Sequence, residues 1–258
     1  MSLIEQTLFE NNDKVKIAIQ RLKTFEPEEG YYLAFSGGKD SCVIKALAEM
    51  SGVKFESVYN DTTIDPPELV KFIKEFHPDV KIERPEKSFF QLLIKKGFPQ
   101  RQRRWCCSEL KEGGGEGRFV ITGVRWAESY KRSQRRMVES CYRDGKKQYL
   151  NLIIDWSIYD VWEFIKTYNI PYCKLYDEGW ERIGCLMCPM SGKRRVMEAE
   201  RYPKYKKAFI LNFEKLYQKK KSEGKTSVDR WKNGEDMFYW WLNENRESDI
   251  PDQGILFE

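Results

Sequence analysis

One histidine, His77, stands in a chain of 258 residues. A Ser-His-Asp triad or a Cys2His2 zinc site therefore has almost nothing to build on. His77 is followed by Pro78 and reads as a surface residue at a helix end. Long apolar runs are missing too. No stretch approaches the roughly 20 residues that a membrane-spanning helix needs, so no membrane partner is expected. The opening residues, MSLIEQTLFENNDKVKIAIQRL, mix charges with apolar groups and lack the apolar core of a signal peptide. A cytoplasmic location is the expectation. There is no internal repeat. Neither sign of charge dominates, since 45 Lys+Arg against 40 Asp+Glu leave +5. Such a mild excess does not by itself imply a nucleic-acid partner.

What is present is an ordinary globular balance, with 41% hydrophobic and 33% charged residues. Residues 3–25 carry apolar residues at helical spacing. FEPEEG breaks that pattern, and Tyr31–Phe35 reads as a buried strand. Helices are expected over Asp40–Met50, from Pro66-Pro67 to Phe76, over KSFFQLLIKKG and over DWSIYDVWEFIKTYN. Between them VKFESVYND, VKIERP and RFVITGV read as strands. The alternation predicts a doubly wound, mostly parallel α/β sheet. Ligands of such sheets bind beyond the carboxyl ends of the strands. After Pro189 the alternation gives way to a helical extension rich in Tyr, Phe and Trp. Those aromatics read as core in preference to a base-stacking platform. The expected divisions are an N-terminal helical segment over 1–28, a nucleotide-binding domain over 29–190 and a helical region over 191–258.

The first strand ends in Ser36-Gly37-Gly38, and Lys39-Asp40-Ser41 follows. Two glycines let a backbone approach a ligand closely, and successive N–H groups of such a turn can face phosphate oxygens. The next helix adds its positive end. Lys39 adds a charge, and Ser36 and Ser41 add hydroxyls. The spacing matches neither G-x-x-x-x-G-K-[ST] nor G-x-G-x-x-G. A plain strand-to-helix turn remains the alternative for these residues taken alone.

Five segments in order carry a resemblance: SGGKDS, YNDTTIDPPE, RRWCCSELK, TGVRWAESYKR and RIGCLMCPM. Together they resemble the PP-loop ATP pyrophosphatase superfamily, in the branch of the phosphoadenylyl sulfate (PAPS) reductases. The resemblance covers roughly residues 30–190 and implies an adenine nucleotide α-hydrolase-like fold. It implies nucleotide binding by Ser36, Gly37, Gly38, Asp40, Ser41, Asp61, Thr62, Arg125 and Arg132, with Lys39, Asp40 and Arg125 in catalytic roles. The nucleotide is ATP or an adenylyl sulfate. Magnesium is expected with ATP, held by Asp40 or Asp61. Thr63 departs from the pattern, standing where this family usually has glycine.

Seven cysteines occur. Cys42, Cys141 and Cys173 read as small core residues. Cys106-Cys107 and Cys185-x-x-Cys188 make a set of four thiols. Four thiolates suit zinc or an iron–sulfur cluster, and unliganded thiols are the third option. Adjacent cysteines suit one tetrahedral zinc poorly, and resemblance to the cluster-bearing members favours [4Fe–4S]. Arginines 101, 103 and 104, beside Cys106, can balance thiolate charge.

Two activities follow from the resemblance. Sulfonucleotide reductases attack sulfur with a thiolate on a C-terminal tail, and no cysteine follows Cys188 here. The expectation is therefore an ATP pyrophosphatase that adenylates an acceptor for sulfur transfer to nucleic acid. DNA phosphorothioation and tRNA thiolation are the models. A sulfur-donor protein such as a cysteine desulfurase is the expected partner, and the basic runs 131–136 and 193–195 would meet DNA or tRNA. The reductase is the alternative, and a non-catalytic nucleotide or redox sensor the third reading.

Overall fold

The structure, a computed structural model, describes residues 3–6, 11–141 and 145–243. The tail over 244–258 lies outside the described residues. The chain divides into two compact units. One comprises Met1–Asp61, Pro66–Arg84 and Gly113–Gly184; the other comprises Thr62–Asp65, Pro85–Glu112 and Cys185–Glu258.

The first unit opens on a short antiparallel pair, β1 (Ile4–Gln6) with β2 (Asn11–Asp13). Of the helix expected over 3–25, the described residues form α1 (Lys14–Thr24), and residues 7–10 lie outside the described residues. The reason is local: Asp13 caps α1, its carboxylate accepting from the backbone N–H of Val15 and Lys16 at 3.0 and 3.1 Å. Asn11 and Asn12, poor helix formers, precede that cap.

Then come β3 (Tyr31–Ala34), α2 (Lys39–Ser51), β4 (Phe55–Asn60), α3 (Pro67–Phe76) and β5 (Lys81–Glu83). After an excursion into the second unit, the chain returns as β6 (Phe119–Thr122). The sequence-based boundaries of these elements hold within a residue or two. In this sheet two strands escaped prediction, β7 (Val138–Ser140) and β8 (Gln148–Asn151). Both are short, and QYLN has no clear alternation. The sheet order is β5-β4-β3-β6-β8-β7, parallel except for β7 at the edge. Strand order therefore reverses beside β3, between its neighbours β4 and β6. That switch point is where open α/β sheets bind ligands, and the Ser-Gly-Gly turn follows β3 directly.

His77 ends α3 as expected but is buried, only 6% exposed. Its ring packs 4.8 Å from Phe35 and 5.2 Å from Phe72. The surface placement read from the sequence is corrected: Pro78 turns the chain, yet the imidazole points into the aromatic core.

The second unit is helical: α4 (Phe89–Lys96), α5 (Trp105–Leu110), α8 (Arg194–Arg201), α9 (Pro203–Ser222) and α10 (Gly234–Asn243). Between them in chain order, the first unit holds the single-turn α6 (Tyr130–Ser133) and α7 (Ile158–Thr167). Phe209, Phe213, Phe238 and Trp241 are fully buried. Phe213 stacks on Phe98 and Phe209 on Trp241, at 5.7 Å each. The Trp241 indole N–H donates to the Pro99 carbonyl at 2.7 Å. These aromatics are core, each contributing roughly 1.5–3 kcal/mol by burial.

Candidate functional site

The turn after β3 is shaped by its glycines. Gly37 has φ +68°, and a Cβ there would lie 2.6 Å from a Leu69 methyl and 2.9 Å from one of Ile73. Gly38, the residue before α2, has no side chain to cap the helix, and the first amide of α2, the Lys39 N–H, donates to the Tyr176 hydroxyl at 2.9 Å. The Ser41 hydroxyl donates to the Gly38 carbonyl at 2.8 Å and lies 3.2 Å from the Ser36 hydroxyl. Ser36, Gly37 and Gly38 form the turn, and Lys39, Asp40 and Ser41 the first turn of α2.

Arg125 comes from the end of β6. It is 4% exposed, and its Nε donates to Asp40 Oδ1 at 2.8 Å. Asp40 Oδ2 is 3.6 Å from Lys39 Nζ. Glu128, which the sequence reading did not single out, accepts from the Arg125 backbone N–H at 2.9 Å and pairs with Arg132. Gly123 permits this arrangement, because a Cβ there would meet Asp40 Cβ at 3.0 Å. Asp61, at the end of β4, is 3.6 Å from Arg84 Nε. Thr62 belongs to the other unit, where its N–H donates to Asp65 at 3.0 Å. No signal in the sequence separated Thr62 from its neighbour Asp61.

The thiol set lies within the second unit. Cys106 and Cys107 open α5. Cys185 and Cys188 flank a knuckle at Met187, whose φ is +54°. The knuckle is held from several sides. Leu186 N–H donates to the Ile64 carbonyl at 2.9 Å, and Met187 N–H to the buried Glu198 carboxylate at 2.5 Å. The Ser191 N–H and hydroxyl both donate to the Cys188 carbonyl at 2.9 Å. Arg195, buried with its guanidinium 4.2 Å from the Trp241 ring, donates to the Met187 carbonyl at 3.3 Å. Glu198 and Arg195 were not foreseen as site residues.

The four thiols feel one another. A hydrogen bond to Cys107 holds the Cys106 proton on, with burial and the charges of Cys107, Cys188 and Cys185 adding to the effect. The same bond pushes Cys107 down to about 6, helped by Lys111 and Arg104. Burial pushes Cys185 up to about 11, against the pull of Lys111. Lys111 is driven up, first by the Cys185 charge. Such a set of soft donors with cations beside it suits a thiophilic metal. Among the described residues, no three His, Cys, Asp or Glu side chains already surround one point at metal-ligand positions. The other thiols differ. Cys42 and Cys173 are fully buried, and burial raises the proton affinity of both.

The basic runs are largely committed internally. Arg135 Nε binds both oxygens of Glu139 at 2.8 and 2.6 Å, and Arg194 Nε binds Glu198 at 2.8 Å. No helix among the described residues is long and apolar enough to cross a membrane.

A parallel sheet with a glycine turn at its switch point and an acid–arginine pair beside it defines a nucleotide-binding α/β protein. The chain belongs to the phosphoadenosine phosphosulfate reductase domain family, whose model matches residues 30–191. It is 32% identical over 181 residues to an uncharacterized protein of Methanocaldococcus jannaschii, covering 66% of this chain and 44% of that one. The chain thus spans less than half the length of that relative. It is 27% identical over 169 residues to the adenosine 5'-phosphosulfate reductase of Oceanobacillus iheyensis, covering 60% and 69%. Among solved structures, the phosphoadenylyl-sulfate reductase of Candida auris, in a phosphate complex, aligns with TM-score 0.51 at 18% identity. That alignment covers 65% of this chain and 87% of the other, and supports the fold.

Proposed function

We propose that the chain is an ATP pyrophosphatase that adenylates an acceptor oxygen and so prepares it for replacement by sulfur. The observation that carries this reading is the Ser36–Ser41 loop with Lys39, Asp40 and the buried Arg125 converging on it. In the reaction, an acceptor oxygen attacks the α-phosphorus of ATP. The bond from the α-phosphorus to the bridging oxygen breaks, pyrophosphate leaves with the electron pair, and the acceptor's proton passes to solvent. The N-terminal end of α2 and Lys39 stabilise charge gathering on the phosphates. Arg125 is fixed in place by Asp40 and Glu128. Magnesium, held by Asp40 or Asp61, would offset phosphate charge.

Cys42, the cysteine in the helix after this turn, is buried with its proton held on. That favours adenylation over thiolate attack on a sulfonucleotide. The reductase remains the second reading, because relatives bear that name at 27% identity. Cys106, Cys107, Cys185 and Cys188 are proposed to hold a [4Fe–4S] cluster, which would supply one-electron chemistry and a fixed charge. The acceptor is proposed to be DNA or tRNA, and the sulfur donor a protein of the cysteine desulfurase kind. Lys131 and Arg136, both exposed, are the cations proposed to meet an acceptor.

With ATP and magnesium the protein should release AMP and pyrophosphate. With adenylyl sulfate or its 3′-phosphorylated form and thioredoxin it should release no sulfite. Robust sulfite release restores the reductase. Protein purified without oxygen should carry about four irons and four sulfides per chain, lost in Cys106→Ala and Cys188→Ala and kept in Cys42→Ala. A colourless protein holding one zinc removes the cluster.

A further inference from the structure

The phosphate loop is already bonded by one short segment of the same unit. The Lys39 backbone N–H, first of α2, donates to the Tyr176 hydroxyl at 2.9 Å. A Cβ placed on Gly38 would lie 3.4 Å from that same oxygen. The Lys39 ammonium donates to the Glu181 carbonyl at 3.0 Å and lies 5.2 Å from the Tyr176 ring centroid. Lys39 is only 5% exposed. Residues 176–181 therefore hold both an amide and the ammonium that a phosphate would use. The Tyr176 ring is itself clasped, edge-on to Trp162 at 5.3 Å and near Tyr172 at 6.4 Å.

We propose that Tyr176 is a placeholder in the phosphate cradle: its hydroxyl sits where a phosphate oxygen binds the Lys39 N–H and yields that place when a polyphosphate enters. The proposal rests on the nucleotide reading of the loop. The exchange is favoured because an anionic oxygen makes a bond about twice as strong as a neutral hydroxyl does, at the positive end of a helix. Until then the hydroxyl satisfies a donor that α2 leaves open. The consequence is a tax on affinity. Each binding event must first break one neutral hydrogen bond, so the loop responds to a charged phosphate and discriminates against neutral ligands.

Tyr176→Phe tests this, because it deletes the oxygen and keeps the ring in its aromatic clasp. Binding of inorganic pyrophosphate and of ATP is measured by calorimetry on the full chain. Both should bind about threefold to tenfold tighter to the variant, the worth of one net neutral hydrogen bond. Equal or weaker binding, with wild type still binding, overturns the placeholder and leaves the nucleotide site standing. Absence of binding by both proteins removes the nucleotide reading and the proposal with it. A second readout needs no variant to fold well. In wild-type protein made with 3-fluorotyrosine, pyrophosphate should shift the Tyr176 fluorine resonance, assigned by its absence from Tyr176→Phe. A resonance that stays put while pyrophosphate binds also overturns the proposal.

Discussion

Removing Asp40 while Arg125 stays should cost more than removing Arg125 while Asp40 stays. The Arg125 side chain is 5% exposed, and its polar partners besides Asp40 include the Trp156 carbonyl at 3.4 Å. Stranding a buried charge costs about 3–5 kcal/mol when burial is complete. The Asp40 side chain is 22% exposed, so water can enter where it is removed, and the lower end, about 3 kcal/mol, is expected for Asp40→Ala. Arg125→Met strands a carboxylate that already faces solvent and keeps Lys39 at 3.6 Å, so about 1–2 kcal/mol is expected. The double variant should cost less than the sum, with a coupling of about 1–2 kcal/mol. Urea unfolding of the four proteins, followed by tryptophan fluorescence, gives the cycle. Additivity within 0.5 kcal/mol, judged against the roughly 0.3–0.5 kcal/mol expected for independent sites, would refute the claim that this pair fixes Arg125. ATP affinity should fall in both single variants, and Asp40→Asn should weaken the effect of magnesium if Asp40 is its ligand.

Three further outcomes are expected. Burial pushes His77 down to about 4, so the unfolded chain takes its proton first as pH falls. Stability from this group is complete above about pH 6.5 and is lost toward pH 4, by up to roughly 3 kcal/mol; titration of the single imidazole resonance checks it, and a midpoint near 6.5 sinks it. Thr63 holds φ +65°, and its hydroxyl accepts from the Phe89 N–H at 2.9 Å. Thr63→Gly should relieve about 1–2 kcal/mol of strain while losing about 1 kcal/mol of bonding, whereas Thr63→Ala only loses the bond; thermal melts should rank glycine above alanine. Glu198→Ala orphans the Met187 N–H and should cost about 1–3 kcal/mol, and should speed reaction of Cys185 and Cys188 with a thiol reagent. Glu198→Gln, which keeps an acceptor, should do less of both.

Much of the fold was legible because its signals are local. The apolar runs of β3, β4 and β6 and the Gly52 and Gly97 helix ends each follow from a few adjacent residues. The Ser88 capping box that starts α4 was present in the sequence too, though its box geometry emerges only from the Ser88 and Gln91 contacts. The pairing of β1 with β2 was not legible, because Leu3, Ile4 and Leu8 satisfy a helical period in the sequence while Asp13 takes the capping position. The site was legible as a list of residues and not as a set of partnerships. Lys39, Asp40 and Arg125 stand in motifs; that Arg125 is committed to Asp40, and Arg135 to Glu139, depends on long or looped connections that spacing cannot show.

Thr63 shows what kind of information survives a departure from pattern. Thr63 stands where this family usually has glycine, and its backbone is left-handed, at φ +65°. The demand therefore comes from the surroundings. Thr62 is fixed to Asp65 by a hydrogen bond, and Leu186 N–H is bonded to Ile64 on the other side of Thr63. With both neighbours held, residue 63 must turn, and a β-branched side chain is tolerated only because its hydroxyl satisfies the Phe89 N–H at the start of α4. Sequence can flag such a residue as odd. Only the fold shows which neighbours hold it in that conformation.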